Sequence, residues 1–154
     1  YIKDWPATSW QALFNRFSDA ANVRWVPFGC AASPVFAQHN VIDLRGRTTF
    51  LELLAIIRAR CRILVAPDSG VLTAAYYLAQ NFPLNIVSLW SDSRQGILKQ
   101  ACPSPNVELR HNALLGPDED VRKLTIDTVE TAINSAIRSA ATSPSLPPAD
   151  AHRF

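Results

Sequence analysis

Apolar positions recur along this chain in two rhythms, and the two take turns. Trp10, Leu13, Phe14 and Phe17 share one face at a 3.6-residue period, which predicts a helix over residues 8–20, with Thr8 and Gln11 as a capping box. The run 23–28 (VRWVPF) predicts a strand ending at Gly29, and 41–44 (VIDL) a second short strand before the turn Arg45-Gly46-Arg47. Residues 30–40 between them read as loop with at most one helical turn. Thr49 and Glu52 predict a capping box for a helix over 50–60. A buried strand over 63–66, a helix over 70–80 and a strand over 84–90 after Pro83 follow in quick succession. Residues 91–106 are polar, carry Pro103 and Pro105, and read as irregular; 107–110 (VELR) predicts a last short strand. Ile126, Val129, Ala132, Ile133, Ala136 and Ile137 keep the helical period over 126–139, with Thr125 as N-cap.

Strands and helices that alternate with short connections predict an α/β fold, a Rossmann-like parallel sheet with helices on both faces. Residues 1–140 are expected to form one domain. Residues 141–154, rich in Pro, Ser and Ala, cannot build a core and are expected to be a disordered tail. No internal repeat is apparent.

Composition narrows the partners. At 154 residues, with 48% hydrophobic and 18% charged residues, the chain suits a single globular unit. A formal net charge of +2, without a Lys/Arg cluster, argues against nucleic acid and against a polybasic membrane patch. No apolar run is long enough to span a bilayer, and residues 1–20 mix charge with aromatics, unlike a secretion signal. Cys30, Cys61 and Cys102 are widely spaced and contain no CxxC pair, which favours free thiols over zinc or disulfides. The chain starts at Tyr1 and has no methionine, so it is expected to be a piece of a longer protein.

Candidate chemistry gathers at residues 62–80, RILVAPDSGVLTAAYYLAQ. An apolar run ends at Pro67-Asp68-Ser69-Gly70, and a helical pattern starts at once. The first N–H groups of a helix lack intrahelical partners and favour an anion. Asp68, at the strand end, suits sugar or ribose hydroxyls, and Gly70 admits a ligand close to the backbone. The bland alternative for Asp68 is a helix N-cap. Motifs for other chemistries are missing: there is no G-x-S-x-G elbow, no Walker A loop and no G-x-G-x-x-G. His39 and His111 lack the partner spacing of a metal site, and no metal is expected.

Four segments in order carry a resemblance. They are Lys3-Asp4-Trp5-Pro6, the stretch Asp43-Leu44-Arg45-Gly46-Arg47-Thr48-Thr49-Phe50-Leu51-Glu52-Leu53, Asp68-Ser69-Gly70, and Leu124-Thr125-Ile126-Asp127-Thr128-Val129. Over roughly residues 3–139 the chain resembles the C-terminal, nucleotide-sugar-binding half of the heptosyltransferases, glycosyltransferase family nine, which have the two-domain GT-B fold. The resemblance implies a donor site in which Lys3 meets the diphosphate, Thr48 lies near the nucleoside, Asp68 holds the sugar, and Ser69 and Gly70 hold the diphosphate. Arg47, Thr73, Ser91 and Asp92 are weaker candidates around it. It also implies an ADP-linked heptose donor as substrate with no separate cofactor. The implied acceptor is of the lipopolysaccharide-core type, at the cytoplasmic face of the inner membrane. The catalytic base is implied to lie in an N-terminal acceptor domain, so no catalytic residue is assigned here.

Two positions differ from the family pattern. Thr73 stands where the loop Asp-(Ser/Thr)-Gly-x-x-His ends in His, and Ser33 stands where a Glu four residues past the strand-end Gly holds the ribose. These differences leave a second reading open, a non-catalytic nucleotide-binding domain or degenerate scaffold of the same fold. A flavodoxin-like module is less suited, because the best phosphate loop here follows a later strand than the first.

Overall fold

In the computed structural model, residues 2–30 and 34–142 are described. The helices are α1 (Ala7–Arg16), α2 (Phe50–Arg60), α3 (Gly70–Tyr76), α4 (Gly96–Gln100) and α5 (Ile126–Thr142). The strands are β1 (Ile63–Pro67), β2 (Leu84–Trp90) and β3 (Leu109–Leu115), with 3₁₀ turns at Pro117–Glu119 and Val121–Lys123. The sheet order is β1-β2-β3 and both pairings are parallel. The expected α/β architecture is the observed one.

β2 is central, so both of its faces are covered, which is why its sequence is nearly all apolar. Strand period 2 sends Val87 and Leu89 to one side, into a cluster with Trp5, Leu13, Phe17, Val129 and Ile133 from the N-terminal segment, α1 and α5. It sends Leu84, Ile86 and Trp90 to the other side, against Leu53 and Ile57 of α2, Leu72 and Ala75 of α3, and Ile97 of α4. Helices thus lie on both faces.

Several boundaries differ from expectation, each for a local reason. α1 begins at Ala7 with Pro6 at its N-cap, and no side chain caps it. Pro6 presets the backbone for a helix start, and Thr8 falls inside the first turn rather than at its head, so the Thr8–Gln11 capping box does not form. The segments 23–28 and 41–44 run parallel, with Trp25 N–H donating to Asn40 O (2.8 Å), Ile42 N–H to Trp25 O (2.8 Å) and Leu44 N–H to Pro27 O (3.1 Å). They form one bridge, Trp25 to Val41, and not two strands, because Pro27 has no N–H to continue the ladder.

α3 stops at Tyr76, short of the expected residue 80. Asn106 holds the following chain at Phe82, donating to its carbonyl (2.9 Å) and accepting from its N–H (3.3 Å), and the Phe82 ring fills the core. The last strand is Leu109–Leu115 and not 107–110: pairing with all of β2 selects it, and Val107 is left 81% exposed. α4 lies inside the stretch expected to be irregular. α5 runs on through 142, two residues into the expected tail; the remainder of that tail, 143–154, lies outside the described residues.

The capping box on α2 does form. Thr49 Oγ1 accepts from Glu52 N–H (3.3 Å), and Glu52 Oε2 accepts from the Thr49 N–H and hydroxyl (2.8 Å each). Thr49→Ala is expected to cost about 1 kcal/mol, read as a shift in the urea midpoint at unchanged slope. A loss too small to detect would mean that packing alone holds the start of α2.

Candidate functional site

All three strands are parallel, so their carboxyl ends share one edge of the sheet, where open α/β sheets bind ligands. Asp68 follows β1 at this edge. Ser69 is the N-cap of α3, its hydroxyl accepting from Leu72 N–H at 3.2 Å. The cap is therefore Ser69, and Asp68 is not spent on capping. Its carboxylate instead meets Lys3, with Nζ 3.3 Å from Oδ2. The Lys3 side chain is 51% exposed and that of Asp68 10%, so a cation sits at the mouth of a mostly enclosed carboxylate. Gly70 opens α3 beside this pair. A Cβ built on Gly70 would meet nothing within 4 Å, so the backbone there is open to a close approach.

Lys3 reaches this edge because the N-terminal segment is tied down twice. The buried Ser91 hydroxyl donates to the Ile2 carbonyl (2.6 Å) and accepts from Val121 N–H (2.9 Å). Trp5 Nε1 donates to the Leu124 carbonyl at 3.0 Å. Ser91, expected as a second-tier ligand contact, is occupied by this anchoring.

The wall next to Asp68 comes from residues that motif reading did not single out. Trp90, the last residue of β2, is fully buried. Gly96, with φ +49°, begins α4 directly against it. A Cβ on Gly96 would lie 2.6 Å from the Trp90 ring edge and 2.7 Å from Asp68 Oδ1. The sequence signal was a glycine in a polar stretch, which has no special weight until the indole and the carboxylate converge on it.

The other candidates lie around this centre. Thr73 donates to the Ser69 carbonyl four residues back (3.2 Å), a bond within α3. Asp92 accepts from the Arg94 N–H (2.8 Å) and guanidinium, and Arg94 also pairs with Glu119 at 2.9 Å. The Arg94 guanidinium, then its N–H, hold the Asp92 carboxyl below the usual carboxylate range. Arg47 is exposed and Thr48 half-buried, both in the turn before α2. Among the described residues no hydrogen bond or ion pair joins either to Lys3 or Asp68. In the same turn Arg45 grips Asp43 (2.6 Å), lies 4.3 Å over the Phe36 ring, and donates to the Pro34 carbonyl at 2.5 Å. Ser33 lies outside the described residues.

Among the described residues no three His, Cys, Asp or Glu side chains cluster as a metal site would need, and no helix is long and apolar enough to cross a membrane.

A solved structure shares this fold. The chain superposes on the ADP-heptose LPS heptosyltransferase II of E. coli with a TM-score of 0.64 at 21% identity, covering 91% of the chain. The fold is heptosyltransferase-like. The chain spans 44% of the length of that enzyme. No protein-family model matches the chain, and no curated protein matches it.

Proposed function

We propose that this chain is the donor-binding domain of a glycosyltransferase, taking a nucleotide diphosphate sugar at the carboxyl edge of its sheet. One observation carries the reading: the Lys3 ammonium stands 3.3 Å from the strand-end carboxylate of Asp68, beside an unobstructed Gly70. In this reading Asp68 accepts hydrogen bonds from sugar hydroxyls. Lys3 and the first N–H groups of α3 lie against the diphosphate. As an acceptor hydroxyl attacks the anomeric carbon, the sugar–oxygen bond breaks and the diphosphate leaves with its charge. Cations and backbone donors fixed where that charge develops lower the barrier, and no metal is needed for that role.

The finer assignments are part of the same proposal. Thr48 takes the nucleoside side, Arg47 is a further cation for the diphosphate, and the donor is ADP-linked and heptose-like. The acceptor is a lipopolysaccharide-type glycan, which would bring the protein to the cytoplasmic face of the inner membrane. The base that deprotonates the acceptor belongs to an N-terminal acceptor domain. The chain's 44% share of the heptosyltransferase's length and its likeness in fold support this division of labour.

A second reading, a nucleotide-binding domain without chemistry, draws on Thr73. Its hydroxyl bonds back to the Ser69 carbonyl at the position where the resemblance calls for His, leaving one donor fewer for a ligand.

Calorimetry with ADP-, UDP- and GDP-sugars tests the site. Saturable binding of one of them is expected, weakened roughly 10- to 100-fold by Lys3→Ala and by Asp68→Asn, as loss of a charge-assisted contact requires. Equal affinity in wild type and both variants would remove these residues from the site. The absence of binding by any of the three nucleotide sugars would overturn the donor reading.

A further inference from the structure

Beneath the candidate site runs a buried polar chain that no part of the donor reading uses. Trp90 Nε1 donates to Ser88 Oγ at 2.6 Å, and the same oxygen lies 2.6 Å from His111 Nε2. Ser88 and Trp90 are both 0% exposed, so water does not substitute for a missing partner. A hydroxyl has one proton to give. With the indole N–H already donated to its oxygen, Ser88 directs that proton to the ring nitrogen, the acceptor this chain offers it. His111 is then neutral, with its own proton on Nδ1, a tautomer assigned from the hydrogen-bond network. A proton added at Nε2 would turn the acceptor into a donor and strand the buried Ser88 proton without a partner.

The groups facing His111 are Ser88 from β2 and Tyr76 from α3, whose ring meets the imidazole edge-on at 5.3 Å. The Tyr76 hydroxyl is itself donated to the Cys102 carbonyl at 3.2 Å. Among the described residues no ion pair reaches the imidazole. Burial pushes His111 below the ordinary histidine range, in keeping with a ring that needs its lone pair.

The far end of this chain is the site wall. The Trp90 ring edge and Asp68 Oδ1 converge on Gly96, leaving no room for even a methyl group. A tilt of the indole therefore moves Gly96, the carboxylate, or both. We propose that His111 is a positioning residue for this site: through Ser88 it sets the plane of Trp90, and through Trp90 and Gly96 it sets the Asp68 carboxylate. The inference rests on the donor-site reading for its consequence, but not for its mechanics. Neutral imidazole holds the wall in place, and imidazolium releases it, so ligand affinity falls on acidification.

The experiment follows resonances before ligand. In the full chain labelled with ¹⁵N and ¹³C, the Trp90 indole N–H, the Gly96 amide and the His111 ring are titrated from about pH 8 to about pH 5. All three are expected to move with one midpoint. In His111→Gln, whose amide oxygen can accept from Ser88 without titrating, the indole and Gly96 signals should stay at their high-pH positions. In Ser88→Ala the imidazole should still titrate while the Gly96 amide stays silent. A Gly96 amide that ignores His111 in the wild type, or still follows it in Ser88→Ala, would overturn the relay. The second arm measures ADP-sugar affinity by calorimetry over the same range. Affinity should fall roughly tenfold in the wild type on acidification and stay flat in His111→Gln. Identical profiles in the two proteins would also overturn the proposal. If none of the ADP-, UDP- and GDP-sugars binds at any pH, the donor reading fails and the resonances alone decide the relay.

Discussion

Trp90→Ala is expected to be the most damaging single truncation in this chain, costing about 3–5 kcal/mol of folding stability. The indole is fully buried at the end of the central strand and packs with the cluster that joins α2, α3 and α4 to the sheet. Removing it opens a large cavity between Ile97, Leu72 and the sheet, which well-packed neighbours refill only in part. It also takes away the donor held by Ser88 Oγ. Urea unfolding with a fluorescence-independent probe, such as far-UV circular dichroism, measures the loss. Trp90→Phe helps to separate the two contributions, since it keeps most of the apolar volume and loses the N–H with only part of the ring. It should recover more than half of the stability lost in the alanine variant. A loss below about 1 kcal/mol for the alanine variant would show that the α4 layer is not packed on β2 as described.

Gly96→Ala is expected to cost about 2–5 kcal/mol, from two causes that add. The backbone at φ +49° is one that side chains with a Cβ adopt at a cost, and the new methyl would sit 2.6 Å from the Trp90 ring and 2.7 Å from Asp68 Oδ1. Either the indole or the carboxylate has to give way. The comparison that makes this informative is Gly70→Ala, where the added Cβ meets nothing within 4 Å. The Gly70 variant should fold with stability close to wild type and lose nucleotide-sugar affinity, because its methyl projects into the space assigned to the ligand. The Gly96 variant should lose stability first. Thermal unfolding with and without ADP-sugar separates the two, and equal behaviour of the two variants would contradict the difference in their surroundings.

Local signals were legible wherever chemistry and period act over a few residues. The Thr49–Glu52 pair was readable as a capping box because both halves of the motif lie within one turn. The run 84–90 was readable as a buried strand because a central parallel strand must be apolar on both faces. Thr125 was readable as a cap, and its hydroxyl accepts from Thr128 N–H at 3.2 Å. Signals failed where a distant partner decides. Leu109–Leu115 carries few strand-forming residues and becomes a strand because β2 offers it seven partners in register. The segments 23–28 and 41–44 look like strands by composition, and Pro27 limits them to one bridge. Gly96-Ile97-Leu98-Lys99-Gln100 is too short to show a helical period, and it is held as a helix by Ile97 entering the core.

By itself the amino-acid sequence determined the α/β order of elements, the strand-to-helix corner at Asp68-Ser69-Gly70, and the residue types a phosphorylated, hydroxyl-rich ligand would need. Each of these depends on neighbours along the chain, and so on patterns that a sequence carries openly. Only the tertiary structure decided that Lys3 lies against a carboxylate 65 positions away, that Ser91 anchors the segment which brings it there, and that Trp90 and Gly96 wall the site with His111 behind them. Those relations are set when parallel strands align their carboxyl ends and bury their shared faces, and no spacing along the chain encodes that alignment.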